Sequence, residues 1–271
     1  MFDDIFLVRV YFNIVRLCIM KYEGLPLHIL SSKKISRLSL GVPILDNVFP
    51  GFTLGDFVIL KGSAASFMSF LFSVRSQLPI GRGGLDSSVV FIDGGNSFDP
   101  YLVAEIARNY GLDSRSVLEK IYISRAFTVY QLSSLILEKL EPLLRRKRCR
   151  LLLISDITSL FSDKNVPKTE AKDLFMKTCL KLSEIAAKKS LIVFASYFPV
   201  RKFKQDLFLK AILLSKSSFL VEFKKRGEIL TFTLEDHPRF KSFTIDFTLD
   251  FSNYNYDYDC DYASLTDSME I

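Results

Sequence analysis

The sequence predicts an α/β fold: a doubly wound, mostly parallel sheet with an antiparallel C-terminal extension. Three observations lead there. Apolar strand-like runs alternate with segments whose apolar residues recur at helical spacing; the last part of the chain then turns to strands alone. A length of 271 residues, with 49% hydrophobic and 24% charged residues, is enough for one large core.

The elements read in order. FVIL (57–60) is a short buried strand, followed by GSAASFMS (62–69) and a helix through FLFSVRSQL. SSVVFID (87–93) is a buried strand by its continuous β-branched and aromatic run. PYLVAEIARNYGL places Leu102, Val103, Ile106, Ala107 and Tyr110 at helical spacing, with Pro100 at the start and Gly111 as the stop. KIYISRA follows as a strand, VYQLSSLILEKLEPLL as a helix and LLLISD as a buried strand. In TEAKDLFMKTCLKLSEIAAKK the residues Ala171, Leu174, Phe175, Leu182, Ile185 and Ala186 form one apolar stripe, with Lys177, Lys181 and Lys188 outside it. LIVFASYF is another buried strand, and SFLVEF, EILTFTLE and FTIDF supply the strand-only end. No internal repeat is visible.

The chain divides into an apolar segment (1–22), a core domain (23–249) and an acidic tail (250–271). IFLVRVYFNIVRLCIM (5–20) is apolar except for Arg9, Asn13 and Arg16, which form one narrow polar stripe on a helix. It is too short and too charged for a comfortable membrane span, and no cleavage site follows. It reads as an element packed on the domain, as an interfacial or partner helix, or as an over-extended start, with Met20 opening a natural sequence. The tail carries Asp250, Asp257, Asp259, Asp261, Asp267 and Glu270 with no Lys or Arg, so a net charge of +6 for the chain leaves about +12 on the first 249 residues. A basic body favours a polyanionic partner, and nucleic acid above a membrane. The tail either docks on a partner, shields the basic face or stays outside the fold. Four scattered cysteines without a C-x-x-C pair, and two histidines, suggest neither a zinc site nor a disulfide framework. A reducing cytoplasmic compartment is the expectation.

GSAASFMS raises the central chemical question. It sits in the strand, glycine loop, helix order of a phosphate-binding loop, G-x-x-x-x-G-K-[ST], whose backbone N–H groups surround phosphates while Lys and hydroxyl serve the outer phosphates and Mg²⁺. Gly62 and Ser69 occupy their places in that register; Phe67 stands for the second Gly and Met68 for the Lys. Gly62, Ser63, Ala64, Ala65, Ser66 and Ser69, with Asp156 farther along the chain as a seventh, are the candidate nucleotide-binding residues, with ATP and Mg²⁺ as weak ligands at most.

A family resemblance is carried by longer blocks. GVPILDNVFPGFTLGDFVILKG, with Gly41, Leu45, Asp46, Gly51 and Gly55, resembles the opening of the core domain in RecA-like recombinases of the archaeal RadA type. VVFIDGGNSFDPYLVAEIARNYGLDSRSVLEKIYISRAFTVYQL resembles the block that follows, LLLISDITSLF the Walker B strand, and LIVFASYF the strand that normally ends in Asn-Gln. The resemblance covers about residues 36–247 and implies a RecA-like fold and a place in DNA recombination and repair.

It also shows what has changed. The glutamate that activates the attacking water falls at Gly95, the Walker B aspartate at Ser155, and the glutamine that senses the terminal phosphate at Tyr197. Asp156 offers a carboxylate one residue late, which in a regular strand points to the opposite face. Phosphoryl transfer relies on positioning and charge neutralisation, so hydrolysis is not expected. In the resembled family the loops after the Walker B and Asn-Gln strands line the DNA path. Here they offer Lys164 and Lys168, then Arg201, Lys202, Lys204 and Lys210, with Phe198 and Phe203 interleaved. That alternation suits phosphate contacts with base stacking, or a lid that packs its phenylalanines inward. Arg145–Arg150 (RRKRCR) precedes the Walker B-like strand, is assigned to the opposite edge of the sheet from the nucleotide crevice, and reads as a solvated or partner-binding face.

The expectation is a catalytically degenerate RecA/RadA-like paralogue, an accessory factor that binds DNA, single-stranded by preference, an active recombinase, or both, with homo-oligomers possible. Two alternatives stand beside it: an atypical ATPase whose lysine comes from Lys61 or a neighbouring subunit, and a structural subunit without DNA contact.

Overall fold

The computed structural model describes residues 36–198 and 204–249. The apolar segment 5–20, Met20 and the acidic tail lie outside the described residues. Eight strands build one sheet: β3 (Phe57–Lys61), β4 (Ser88–Asp93), β5 (Ile121–Arg125), β6 (Cys149–Ser155), β7 (Ile192–Ser196), β8 (Phe219–Arg226), β9 (Ile229–Glu235) and β10 (Phe243–Phe247). Their order is β10-β9-β8-β3-β7-β6-β4-β5. Pairing is parallel from β5 to β8, and antiparallel for β8 with β9 and β9 with β10. This is the doubly wound sheet with the antiparallel extension that the alternation of periods predicts.

Period-two alternation along the strands divides the core. Val58, Leu60, Val89, Phe91, Leu151, Leu153 and Phe194 face one side, under helices α2 (Ala65–Arg75), α3 (Pro100–Asn109) and α4 (Ser114–Glu119). Phe57, Ile59, Val90, Ile92, Leu152, Ile154 and Val193 face the other, under α5 (Val129–Ser134), α6 (Leu140–Arg146), α7 (Lys168–Lys189) and α8 (Lys204–Lys216). Both faces are buried, which explains why the parallel strands read as continuous apolar runs.

Helix starts are specified locally. Asp99 accepts from the Tyr101 and Leu102 N–H groups with Pro100 at the first turn, Asp113 accepts from Ser116 N, and Thr128 from Gln131 N. The predicted helix VYQLSSLILEKLEPLL is interrupted by a π-helical turn, Leu135–Lys139, between α5 and α6. Pro142 has no N–H for the carbonyl of Glu138, and the wider turn before it absorbs that missing bond. The short α4 and a two-stranded ribbon, β1 (Arg37–Leu38) with β2 (Phe52–Thr53), escape the periodic reading because each is too brief. α1 (Pro43–Asp46) completes the entrance, where Asp46 accepts from the N–H groups of Leu40 and Gly41.

The ribbon is anchored by Arg75, which is 1% exposed. Its guanidinium donates to Ser39 O (3.0 Å), Ser39 Oγ (2.9 Å) and Tyr110 Oη (3.1 Å). A Cβ on Gly41 would lie 2.0 Å from this guanidinium, and φ at Gly41 is +76°, so only glycine lets the chain pass.

Candidate nucleotide and DNA interface

The C-terminal ends of β3, β7, β6 and β4 converge where an open parallel sheet binds ligands, since the helices after β3 and β7 leave on opposite faces. Residues 62–69 lie there and take a specific shape. Gly62 has φ +97°, and a Cβ on it would stand 2.2 Å from Phe223 O. The Ala64 N–H donates to Phe223 O (3.0 Å), and Ser63 Oγ accepts from Lys225 N (3.0 Å). The loop therefore continues the β3–β8 ladder sideways.

α2 starts at Ala65, so residues that would wrap a phosphate are already in its first turn. Met68 is fully buried in the core, and Phe67 packs against it. Ser69, 5% exposed, donates its hydroxyl to Ala65 O at 2.9 Å. Six of the seven candidate nucleotide residues, Gly62, Ser63, Ala64, Ala65, Ser66 and Ser69, are thereby grouped at one strand end. Lys61 points to the α7–α8 face, where Glu235 lies at 2.9 Å and Glu222 at 4.0 Å.

Asp156, the seventh, stands at the end of β6, with β7 between it and β3. Its φ is +45°, so the extended strand stops at Ser155 and the carboxylate is re-aimed. A Cβ at Gly95 would be 3.1 Å from Asp156 Cβ, so Asp156 occupies the space a side chain at position 95 would need. Ser155 Oγ donates to Asp93 Oδ1 at 2.7 Å and accepts from Gly95 N at 3.2 Å.

Asp93 is 1% exposed. Burial works against its charge. The hydrogen bonds from Ser155 and from the N–H groups of Ser97 and Phe98, with Arg125 at 3.5 Å, outweigh it and hold the carboxyl below the usual range. The sequence reading missed this polar knot because its members come from β4, β5 and β6. The signal lay in register: Asp93 is paired with Ser155 on one side and Arg125 on the other.

The described basic candidates follow two adjacent strands, β6 and β7. Lys164 and Lys168 are exposed, the first in the loop after β6 and the second opening α7. Arg201 and Lys202 lie outside the described residues. The segment 198–210, read from sequence as a loop, becomes helix at Lys204, so Lys204 and Lys210 lie on α8. Phe198 packs against the core, which accords with the inward-packing reading for that residue. Lys172 Nζ lies 4.1 Å from the Phe208 ring centroid and joins α7 to α8. Arg145 and Arg146 close α6, and Arg148 O accepts from Ser88 N at the start of β4, placing the cluster at the opposite, N-terminal ends of the strands. No helix among the described residues is long and apolar enough to cross a membrane.

The family model for Rad51 matches residues 53–196, from the ribbon through β7, which includes the loop at residues 62–69, the Asp93 knot and both strand ends that carry it. That match spans more than half of the chain and is seated on the sheet order just described. The chain belongs to the Rad51 family of RecA-type recombination and repair proteins.

Proposed function

We propose that this protein is a Rad51-family accessory subunit that neither hydrolyses nor depends on ATP and that binds DNA or an active recombinase of the same family. The observation that carries the reading is the use of the phosphate loop's own polar groups within the fold: Ala64 N–H and Ser63 Oγ are bonded to β8, and Ser69 Oγ to Ala65 O. A triphosphate needs free N–H groups and a cation at this place. The residues here do not fit one, because a buried methionine replaces the cation and a helical turn replaces the cradle. The atypical-ATPase alternative loses support from Lys61, whose ammonium is held by Glu235 and Glu222.

For DNA, support comes from Lys164 in the loop after β6, Lys168 at the start of α7, and Lys204 and Lys210 on α8, which follows β7, with Arg201 and Lys202 just before Lys204 in sequence. The test is fluorescence anisotropy with single-stranded DNA over a salt series. The Arg201→Ala/Lys202→Ala/Lys204→Ala variant is expected to weaken binding for all sequences and to flatten the salt dependence by about three phosphate contacts. Arg145→Ala/Arg146→Ala/Arg148→Ala is expected to do less. Equal losses would mean diffuse charge, and no binding by the intact protein would leave a structural subunit without DNA contact.

A further inference from the structure

A cavity of about 440 Å³ opens where β5 ends, lined by Arg125, Tyr130, Gln131, Ser134, Leu135 and Lys139. It is separate from the loop at residues 62–69, because β4, β6 and β7 stand between β5 and β3. Arg125 enters it from the last position of β5, and the other five residues come from α5 and the π-helical turn that follows. Gln131, Ser134 and Leu135 share one face of the helix by their i, i+3 and i+4 spacing. The π-helical turn, Leu135–Lys139, adds Lys139 to the same lining; such wider turns recur at functional sites.

The polar groups around this cavity divide into those engaged within the fold and those left over. Ser134 Oγ donates to Glu138 Oε2 at 2.8 Å, and Glu170 engages the Tyr130 hydroxyl, so these two side chains offer the cavity little polarity beyond the half-exposed Tyr130 ring. Gln131 Oε1 accepts from Phe127 N at 2.8 Å, which fixes the amide and leaves its NH₂ as a donor. Arg125 Nε lies 3.5 Å from Asp93 Oδ2, but Asp93 is already served by Ser155 and by the N–H groups of Ser97 and Phe98, and the two outer guanidinium nitrogens are left over. Lys139 is exposed and has no carboxylate partner among the described residues. The lining therefore presents two cations, one amide donor, one aromatic ring and the apolar Leu135, and no carboxylate.

We propose that this cavity binds a nucleoside 5′-monophosphate, with the phosphate on Arg125, Lys139 and the Gln131 amide and the base against the Tyr130 ring and Leu135. A phosphate monoester carries close to two negative charges at neutral pH, which two cations balance. A guanidinium with its outer nitrogens left over suits two oxygens of one phosphate, and the ammonium supplies a point charge beside it. A base stacks on a tyrosine ring whatever its identity. The volume lies in the range of small-molecule sites. A free nucleotide and the phosphorylated 5′ end of a DNA strand present this same chemistry. The inference rests neither on the loop at residues 62–69 nor on the basic residues after β6 and β7.

Isothermal titration calorimetry on the full chain tests it, with dAMP, deoxyadenosine, inorganic phosphate, and a trinucleotide with and without a 5′ phosphate as probes. The intact protein is expected to bind dAMP, and to bind deoxyadenosine and inorganic phosphate each at least tenfold more weakly. Lys139→Glu and Tyr130→Ala, both at exposed side chains, should each weaken dAMP binding at least tenfold, while Lys139→Arg, which keeps the charge, should retain it. A trinucleotide that gains affinity from its 5′ phosphate, and loses that gain in Lys139→Glu, identifies the strand end as a source; a response to dAMP alone identifies the free nucleotide. An intact protein that responds to neither phosphorylated probe, inorganic phosphate binding as tightly as dAMP, or dAMP affinity unchanged in Lys139→Glu would each overturn the proposal.

Discussion

Ser155 Oγ donates to Asp93 Oδ1 at 2.7 Å, joining the ends of β6 and β4 through a buried pair. Where the resembled recombinases carry a Walker B aspartate for a metal, this chain carries a hydrogen-bond donor for a buried carboxylate. A second carboxylate at position 155 would stand against Asp93 with no cation between them.

Ser155→Ala should therefore destabilise the fold by about 1–3 kcal/mol, since it strips a donor from a buried anion. The folded carboxyl of Asp93 is held low, so its contribution is present above the unfolded value and is lost as pH falls through the folded one. Removing the donor raises the folded value and shrinks that contribution at neutral pH. Urea melts of both proteins at neutral pH and near pH 4 measure the difference, which should be smaller at the lower pH. Ser155→Asp should be worse than Ser155→Ala at neutral pH.

Met68→Lys places a lysine where the phosphate-loop pattern has one. The Met68 side chain is fully buried among apolar neighbours, so an ammonium there has no partner and no water. The expected result is a loss of several kcal/mol, by the mechanism of an unpaired buried charge, with no gain in phosphate release from ATP. Thermal denaturation and a phosphate-release assay check the two halves separately.

Gly41→Ala should cost at least about 2–4 kcal/mol, because the new methyl meets the Arg75 guanidinium at a left-handed backbone position. Arg75→Met, which keeps bulk and removes the charge, tests the anchor itself. It should leave Ser39 and Tyr110 short of their donor and raise hydrogen exchange in the ribbon more than in β4 or β6.

His237 gives the protein a pH dependence in the acidic range. Its Nδ1 accepts from the N–H groups of Arg239 and Phe240, and its ring centroid lies 4.3 Å from that of Phe219. Burial lowers its pKa; the pull of Asp56 opposes this and Arg239 adds to it. The unfolded chain therefore takes up this proton at a higher pH than the folded one. Stability is complete above about pH 6.5 and declines from there toward the folded pKa. Chemical denaturation at pH 7.5 and pH 5.5 should show the decline, and His237→Gln should remove its share of it.

Much of this was legible without coordinates. Alternating apolar runs and helical stripes determined the doubly wound sheet, because strands buried on both faces must be apolar throughout and their covering helices amphipathic. The residues standing at positions 67, 68, 95 and 155 were also legible, since the phosphate loop is a local motif and each position can be read against the resemblance. What became of those positions was decided only by tertiary structure. That Ser155 serves Asp93, that Asp156 turns into the space beside Gly95, and that the loop bonds to β8 all depend on strands far apart in the chain. The same holds for Arg75, whose partners come from Ser39 and Tyr110, and for the helix that takes Lys204 and Lys210 out of a loop. Local sequence constrains a residue's backbone and its solubility; which polar atom answers another across a sheet is set by register and crossover, which no short window contains.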